Sequence, residues 1–281
     1  MQTLTLGPAG TYSHRAARAI ADGEISFTES VTSIVESVGD GRHDRGVVPV
    51  ENSIEGSVTE ALDAFTDHEV AVVREIITPI RHALLARDEA FETVASHAQA
   101  LAQCRSYLES EYPGATLEAV TSTARGVQRA REDPATAAIG HPANADVDNR
   151  AGTGAGGDGE LLVLAEDIQD RTSNATRFLV LAPLAGRSKA GSKTSFIVYP
   201  SVDYPGLLLR MLEPFADRDI NLTRVESRPS GERLGDYVFH IDIAAGLYEQ
   251  RTREALDAIR EIAEDGWVRR LGSYDSETVL Y

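Results

Sequence analysis

Thr176, Arg177 and Phe178 offer the clearest chemistry in this chain, because a hydroxyl, a permanent cation and an aromatic ring stand where a polar turn enters an apolar strand. An arginine keeps its charge near neutral pH and binds carboxylates through two parallel hydrogen bonds. Taken alone, this arginine fits an exposed edge strand better than a site. Beside further polar clusters along the chain, it predicts a site that holds a small carboxylate next to an apolar ring.

Four polar clusters are predicted at strand ends that precede or open a helix. Hydroxyl groups and free backbone N–H groups at a helix N-terminus bind anions through hydrogen bonds and the helix dipole. Ordinary helix capping explains any single cluster equally well. Together with Arg177, however, the four favour a site for a small dianion. They are Thr11-Tyr12-Ser13, Glu51-Asn52-Ser53, Ser96 and Thr121-Ser122-Thr123.

Charge and composition restrict the partners of this chain of 281 residues. Asp and Glu number 44 against 27 Lys and Arg, which gives a net charge of -17 and argues against nucleic acid and anionic membranes. Cys104 is the single cysteine, so secretion gains no support from disulfides. No apolar run of about 18 residues could span a bilayer, and the N-terminus begins as a strand rather than a leader. We therefore expect a cytoplasmic protein.

Metal and dinucleotide sites are not predicted. The histidines lack metal-ligand spacing with cysteines or carboxylates. The glycine-rich residues 152–157 are only superficially similar to a dinucleotide-binding fingerprint, since they follow no strand and open no helix. A loop is expected there.

Alternating strands and helices predict an α/β fold for residues 1–185. Continuous apolar strands between helices indicate a mainly parallel sheet that is covered on both faces. The first lobe is expected to contain about residues 1–79 and 166–185, and the second about 80–165. Two lobes joined by two crossings form a cleft, where small ligands usually bind.

The pattern changes after a predicted linker at residues 186–193. Residues 194–275 read as one βαββαβ unit, which predicts a ferredoxin-like module. Apolar residues alternate with others between Tyr237 and Ile243, as expected for a sheet with one buried face. Because this module shows no evident catalytic cluster, a regulatory or dimerisation role is favoured.

Several blocks of the sequence closely resemble the prephenate dehydratases, in order and over nearly the whole chain. In the first part they are Gly7–His14, Val48–Val58, Ser96–Cys104 and Asn174–Phe178. In the last part, Pro205–Leu208 and Glu226–Pro229 resemble the ACT domain of that family. No room is left for the chorismate mutase domain fused to some members, so the monofunctional form is expected.

The resemblance implies conversion of prephenate to phenylpyruvate, with loss of carbon dioxide and water, in L-phenylalanine biosynthesis. It implies two lobes similar to periplasmic binding proteins, no cofactor, and a homodimer or homotetramer. It also implies feedback control by L-phenylalanine, bound between two ACT domains.

The resemblance also implies roles for individual residues. Thr176 would donate a hydrogen bond to the leaving hydroxyl, Arg177 would clamp a carboxylate, and Phe178 would contact the ring or, as favoured, pack in the core. Glu51 could act as an acid only if burial raised its pKa. The expected substrate ligands are Thr11, Glu51, Asn52, Ser53, Ser96, Gln103, Thr123 and Phe178. The expected effector ligands are Gly206, Leu207, Leu208, Glu226, Ser227 and Arg228.

Departures from the family pattern leave alternatives open. Ala98 stands where the family usually has Pro, Leu207 stands where it usually has Ala, and residues 140–159 also differ. Because Leu207 adds bulk beside the expected effector pocket, the resemblance predicts regulation by phenylalanine less strongly than it predicts catalysis. One alternative is an arogenate dehydratase, whose substrate carries an amino group in place of the keto group. The other is a non-catalytic carboxylate or amino-acid sensor.

Overall fold

A computed structural model describes residues 1–54, 56–145, 160–171 and 173–279. The described residues form three β-sheets with flanking helices: two sheets in an N-terminal region and one in a C-terminal module. The glycine-rich loop predicted at residues 152–157 lies outside the described residues.

The first sheet has seven strands among the described residues, in the order β16-β5-β11-β3-β1-β2 with β4 beside β3. Its strands are β1 (Thr3–Leu6), β2 (Ile25–Thr28), β3 (Arg45–Asn52), β4 (Gly56–Ser57), β5 (Ala71–Pro79), β11 (Ala175–Ala182) and β16 (Ser276–Thr278). Its helices are α1 (Tyr12–Ile20), α2 (Val31–Gly39) and α3 (Thr59–Asp67). The prediction of a mainly parallel sheet is wrong, because β11 returns from the second lobe and pairs antiparallel with both β3 and β5.

The second sheet has the order β10-β6-β9-β7-β8. Its strands are β6 (Ala83–Ala86), β7 (Thr93–His97), β8 (Thr116–Val120), β9 (Thr136–Gly140) and β10 (Leu162–Ala165). Its helices are α4 (Ala98–Gln103), α5 (Arg105–Glu111) and α6 (Thr123–Glu132). Residues 98–108 could be expected to form one helix, but α4 and α5 are separate, since the backbone of Cys104 leaves the helical region with φ -114° and ψ 16°.

The C-terminal module is the predicted ferredoxin-like βαββαβ unit, with sheet order β13-β14-β12-β15. Its elements are β12 (Lys193–Tyr199), α7 (Leu207–Ala216), β13 (Leu222–Pro229), β14 (Tyr237–Ile243), α8 (Gln250–Ile262) and β15 (Trp267–Tyr274). Apolar residues of both helices, such as Met211 and Leu256, pack with Phe196 and Ile241 on one face of the sheet.

The opposite face of this sheet is also buried, which corrects the prediction of one buried face. His240 and Asp242, which looked solvent-facing in the sequence, are only 3% and 5% exposed. Val238 and Leu271 from this face share a core with Phe65 of α3. The alternating pattern therefore marks an interface between domains rather than a solvent-exposed surface.

The chain returns to the first sheet after the C-terminal module. Strand β16 pairs parallel with β5, with Ser276 opposite Glu75. The sequence did not predict this strand, since its three residues, SET, carry no apolar alternation. Both ends of the C-terminal module are thus connected to the N-terminal region. The exact domain boundaries proposed at residues 79, 165, 185 and 193 stay predictions.

The buried His240 is expected to make stability depend on pH. Burial lowers its pKa to about 4, whereas an unfolded histidine titrates near 6.5. The unfolded chain then binds more protons between these values, so the free energy of unfolding should fall as pH falls from about 6.5 to about 4. Denaturant unfolding at several pH values should show a shallower fall for His240→Gln. The exposed His97, changed to Gln, is the control, and an unchanged slope in His240→Gln would contradict the expectation.

Candidate active site

A cleft of about 220 Å³ opens between the first and second sheets. Five residues predicted to bind or transform a substrate line it: Thr11, Asn52, Gln103, Thr123 and Thr176. The cleft also contains residues that were not proposed as ligands: Tyr12, Ile80, His82, His97, Gln99, Ala100, Thr121, Ser122 and Asn174. Of these, Tyr12, Thr121 and Ser122 belong to predicted polar clusters, and His97, Gln99, Ala100 and Asn174 lie within the blocks that resemble the family. Ile80 and His82 stand in neither kind of pattern.

Two helices begin at the cleft and present the positive ends of their dipoles to it. The hydroxyl of Thr11 caps α1 by accepting a hydrogen bond from the backbone N–H of His14 at 3.2 Å. The hydroxyl of Ser122 caps α6 in the same way, from the N–H of Arg125 at 3.0 Å. Helix α6 approaches β7 closely at Gly126, where a Cβ would lie 2.4 Å from the carbonyl oxygen of Ala95. The glycine therefore permits the start of α6 to reach the cleft.

Thr176 is held by Asn52 of the neighbouring strand, which it faces directly in the β3–β11 pairing. The backbone N–H of Ile54 donates to Oδ1 of Asn52 at 2.9 Å, which identifies that atom as the acceptor of the amide. Nδ2 of Asn52 then donates to Oγ1 of Thr176 at 3.1 Å. Because this oxygen accepts, the hydroxyl hydrogen of Thr176 remains to be donated, and the cleft is the space beside it.

A second chain of hydrogen bonds crosses the cleft between the two lobes. Nδ2 of Asn174 donates to Oε1 of Gln103 at 2.8 Å, and Nε2 of His82 lies 3.0 Å from the same oxygen. An amide oxygen only accepts, so Nε2 of His82 carries a hydrogen. Burial lowers the pKa of His82, which makes its imidazole neutral near pH 7. Among the described residues, the amide nitrogen of Gln103 is buried without a hydrogen-bond partner.

Arg177 does not line the cleft, which corrects the expectation of a carboxylate clamp. Successive side chains of a strand point to opposite faces, so Arg177 faces away from Thr176. Its guanidinium group donates to Glu75, to Asp242 at 2.6 Å and to the hydroxyl of Tyr274 at 3.1 Å. With 12% of its side chain exposed, Arg177 belongs to the interface with the C-terminal module.

Glu51 and Ser96 are also turned away from the cleft. The carboxylate of Glu51 lies 3.6 Å from Arg177 and 3.8 Å from Arg224, on the side of the C-terminal module. Ser96 is fully buried, and its hydroxyl donates to the carbonyl oxygen of Ile139 at 2.7 Å. The expectations that Glu51 serves as an acid and that Ser96 binds substrate are therefore corrected.

Ser53 and Phe178 support the site without lining it. The hydroxyl of Ser53 donates to the carbonyl oxygen of Ser173 and accepts from the N–H of Ala175, both at 3.0 Å. These bonds hold the turn that leads into β11. Phe178 is 1% exposed and packs with Ile76 and other core residues, the placement that was favoured over ring contact.

The expected effector ligands lie on two sides of the C-terminal sheet. Gly206 precedes α7 with a positive φ of 90°, and Leu208 is exposed. Leu207 is buried in the core of the module rather than projecting from it. Glu226 accepts from the hydroxyl of Ser57 at 2.8 Å, so it faces the N-terminal region. Arg228 also faces that way, whereas Ser227, between them on β13, points to the other side.

No group of three or more His, Cys, Asp or Glu side chains among the described residues is placed to hold a metal ion. No described helix is long and apolar enough to cross a membrane.

Comparison with known proteins assigns the family. The family model "Prephenate dehydratase" matches residues 3–185, and the model "ACT domain" matches residues 201–262. The chain is 39% identical over 274 residues to a bifunctional chorismate mutase/prephenate dehydratase of Aquifex aeolicus, covering 96% of this chain and 72% of the relative. It is 35% identical over 280 residues to a prephenate dehydratase of Methanocaldococcus jannaschii, covering 95% of each.

A solved structure agrees with these matches. The prephenate dehydratase of Arthrobacter aurescens, determined in complex with L-Phe, has a TM-score of 0.84 and 33% identity, and the match covers 98% of this chain and 90% of that one. The predicted fold class is thereby confirmed: an α/β region of two lobes followed by an ACT domain. This chain belongs to the prephenate dehydratase family.

Proposed function

We propose that this chain is the enzyme that converts prephenate to phenylpyruvate, carbon dioxide and water in L-phenylalanine biosynthesis. The observation that carries the proposal is the pair formed by Asn52 and Thr176 in the cleft between the lobes. Asn52 fixes the oxygen of Thr176 as an acceptor at 3.1 Å and so directs its hydrogen elsewhere.

The reaction needs a positioned donor more than it needs a strong acid. Prephenate carries two carboxylates and a ring hydroxyl, and loss of one carboxylate as carbon dioxide pushes electrons that expel the hydroxyl. The ring becomes aromatic, so the step is strongly downhill. The hydroxyl of Thr176 donates a hydrogen bond to the departing oxygen, where negative charge develops. The departing hydroxide takes up a proton that reaches the open cleft from bulk solvent and leaves as water.

Neutral groups are proposed to bind the dianion. Among the described lining residues there is no Lys or Arg, so the proposed donors are the N-termini of α1 and α6. The departing carboxylate is proposed to lie against apolar atoms of Ile80, Ala100 and the ring of Tyr12. Poor solvation of a carboxylate favours its loss as neutral carbon dioxide.

The lining also favours prephenate over arogenate. Arogenate carries an ammonium group where prephenate has a keto group, and a desolvated ammonium group needs a carboxylate partner. The described lining contains no Asp or Glu. A kinetic comparison of the two substrates should give the higher kcat/KM with prephenate.

The test is turnover of prephenate by the full-length protein, followed as phenylpyruvate by chromatography. Formation of phenylpyruvate with the release of carbon dioxide supports the proposal. Binding of prephenate without turnover would instead support the non-catalytic sensor.

Regulation by L-phenylalanine at a site shared by two C-terminal modules is a second part of the proposal. The relative from Arthrobacter aurescens was solved with L-Phe bound. In this chain β13 is an edge strand, and exposed apolar residues occur on β13, on its neighbour β14 and in the first turn of α7. They are Leu208, Leu209, Val225 and Tyr237. We propose that this patch faces a second copy, which makes the enzyme at least a homodimer.

Val225→Arg is expected to separate the two copies, because it puts a charge into the proposed apolar interface. Light scattering should then show a monomer, and inhibition by L-phenylalanine should weaken. Ala119→Arg is the matched control, since Ala119 is exposed on β8, the edge strand of the second sheet. A Val225→Arg protein that keeps both its mass and its inhibition would contradict this interface.

A cytoplasmic location is also proposed. It is supported by the single cysteine, Cys104, which is buried and free.

A further inference from the structure

A second pocket, of about 330 Å³, lies where the N-terminal region, the predicted linker and the C-terminal module meet. The loop between α3 and β5 contributes Glu69, and the predicted linker contributes Arg187. Helix α8 contributes Arg260, and β15 contributes Arg269 and Arg270. We call this space the junction pocket. It shares no lining residue with the candidate active site.

The junction pocket carries an excess of positive charge. Four arginines line it, whereas Glu69 is the single acidic residue of its described lining. This excess occurs in a chain that has 44 Asp and Glu against 27 Lys and Arg. Asp257, beside the pocket, lies 3.6 Å from both Arg260 and Arg270, so two cations share one carboxylate. The side chain of Asp257 is 62% exposed, and such an exposed pair contributes little.

One of the four arginines has a structural role that explains its position. The guanidinium group of Arg269 lies 4.9 Å from the ring centroid of Trp267 and donates to the carbonyl oxygen of Phe65 at 3.0 Å. Phe65 stands in the last turn of α3, where the free carbonyl groups carry the negative end of the helix dipole. Arg269 therefore joins β15 to α3 and forms a fixed wall of the junction pocket.

The other three arginines, Arg187, Arg260 and Arg270, lack such an explanation. Arg187 donates to the backbone carbonyl oxygen of Arg270 at 2.8 Å, a bond that neutralises no charge. Among the described residues, the Nε atoms of Arg187 and Arg270 are buried without a hydrogen-bond partner. Those two atoms are shielded from solvent, but a partly desolvated cation gains more from a nearby anion than a solvated one does. The three cations therefore favour an anion in the space that they line.

We infer that the junction pocket binds a phosphate group, either as inorganic phosphate or as a phosphate monoester. The planar guanidinium group of arginine matches phosphate, since it can donate two parallel hydrogen bonds to its oxygens. Arg187, Arg260 and Arg270 belong to three separate segments of the chain. A tetrahedral phosphate presents oxygens in several directions, whereas a carboxylate presents two oxygens in one plane. The pocket is many times larger than one water molecule, about 30 Å³, so a small ester also fits.

A phosphate group in the junction pocket connects the linker to α8 and β15 of the C-terminal module. A ligand that binds only the folded chain stabilises it by mass action. Strand β15 is the edge of the C-terminal sheet opposite β13, so the junction pocket is separate from the proposed interface between two copies. The inference therefore depends neither on the proposed reaction nor on the proposed effector site.

The test is titration of the full-length protein with inorganic phosphate by calorimetry, at constant ionic strength. We expect one phosphate per chain, and a midpoint of thermal unfolding that rises by about 3 °C at a phosphate concentration about tenfold above Kd. Arg270→Gln should raise Kd about tenfold or more, because a charge-assisted hydrogen bond is lost. Arg253→Gln removes the same charge from an exposed position of α8 outside the pocket, so it is the matched control.

Two further titrations locate the site and identify its ligand. Thr176→Ala should keep the wild-type Kd for phosphate, which separates the junction pocket from the cleft. Glycerol phosphate, a monoester, should also bind in an Arg270-dependent way. A lower Kd than that of inorganic phosphate would identify a phosphate ester as the ligand, and a higher one would identify the free ion.

Three results would overturn the inference: no binding of phosphate by the wild-type protein, the same Kd in Arg270→Gln and Arg253→Gln, or an equal rise of the midpoint with sodium chloride at the same ionic strength. The last result would mean general screening of charge rather than a site. If Arg270→Gln fails to fold, Arg260→Gln takes its place, since the side chain of Arg260 is 53% exposed.

Discussion

Thr176→Ala is expected to lower kcat by about 10² or more while the protein stays folded. In the cleft, the hydroxyl oxygen of Thr176 already accepts a hydrogen bond from Asn52, so its hydrogen remains to be donated. Its loss removes a hydrogen bond that strengthens as the leaving oxygen gains charge. Steady-state kinetics with prephenate should therefore show the loss mainly in kcat.

Thr176→Ser separates the hydroxyl from the rest of the side chain. It keeps the donor and the acceptor for Asn52, so most of the wild-type kcat should return. Thermal unfolding followed by circular dichroism should show similar midpoints for all three proteins. Near-normal turnover in Thr176→Ala would remove this hydroxyl from the mechanism.

Arg177→Met is expected to lower the free energy of unfolding by about 3–5 kcal/mol. The substitution keeps much of the side-chain volume but leaves Asp242 and Glu75 buried without their shared cation. Burial alone would raise the pKa of Glu75, and Arg177 with Lys193 reverses this, so the pKa lies below its usual range. Without Arg177, the effect of burial on the pKa of Glu75 is no longer fully offset.

Denaturant unfolding measures this effect, with Arg228→Met as the control. Arg228 pairs with Asp63 at a more exposed position, so its replacement should cost less than about 1 kcal/mol. This outcome differs from that of a carboxylate clamp, for which Arg177 substitutions would chiefly raise KM. A raised KM with unchanged stability in Arg177→Met would contradict the buried placement.

Local elements were predictable because their periodicity is strong. The strand expected at the N-terminus is β1 (Thr3–Leu6), and the alternating residues from Tyr237 to Ile243 form β14. Short or irregular elements were not predictable. Strand β16 was not predicted, and the break at Cys104 between α4 and α5 has no signal in the sequence.

The candidate site shows a similar division. Thr11, Asn52, Gln103 and Thr176 line the cleft as expected, since polar residues at strand and helix ends meet where two lobes face each other. The prediction that Arg177 lines the cleft was wrong, although the sequence itself contained the information needed to avoid it. Adjacent residues of one strand face opposite sides, so Thr176 and Arg177 cannot both point into the cleft.

The buried role of Asp242 could not be read from the sequence. Alternation in β14 shows that Asp242 lies on the second face of the sheet, but it does not show what covers that face. The first sheet covers that face. Its Arg177, which binds Asp242, is more than 50 residues away from it along the chain. Contacts at such separation depend on the packing of two domains rather than on local pattern.

The most direct test of the proposed reaction is conversion of prephenate by the full-length protein beside its Thr176→Ala variant, at equal enzyme concentration and with binding measured separately. We predict that the wild-type protein forms phenylpyruvate and an equal amount of carbon dioxide. The variant should bind prephenate with a similar Kd and form product about 10² more slowly. Equal rates for the two proteins, or no phenylpyruvate from the wild-type protein, would contradict the central claim.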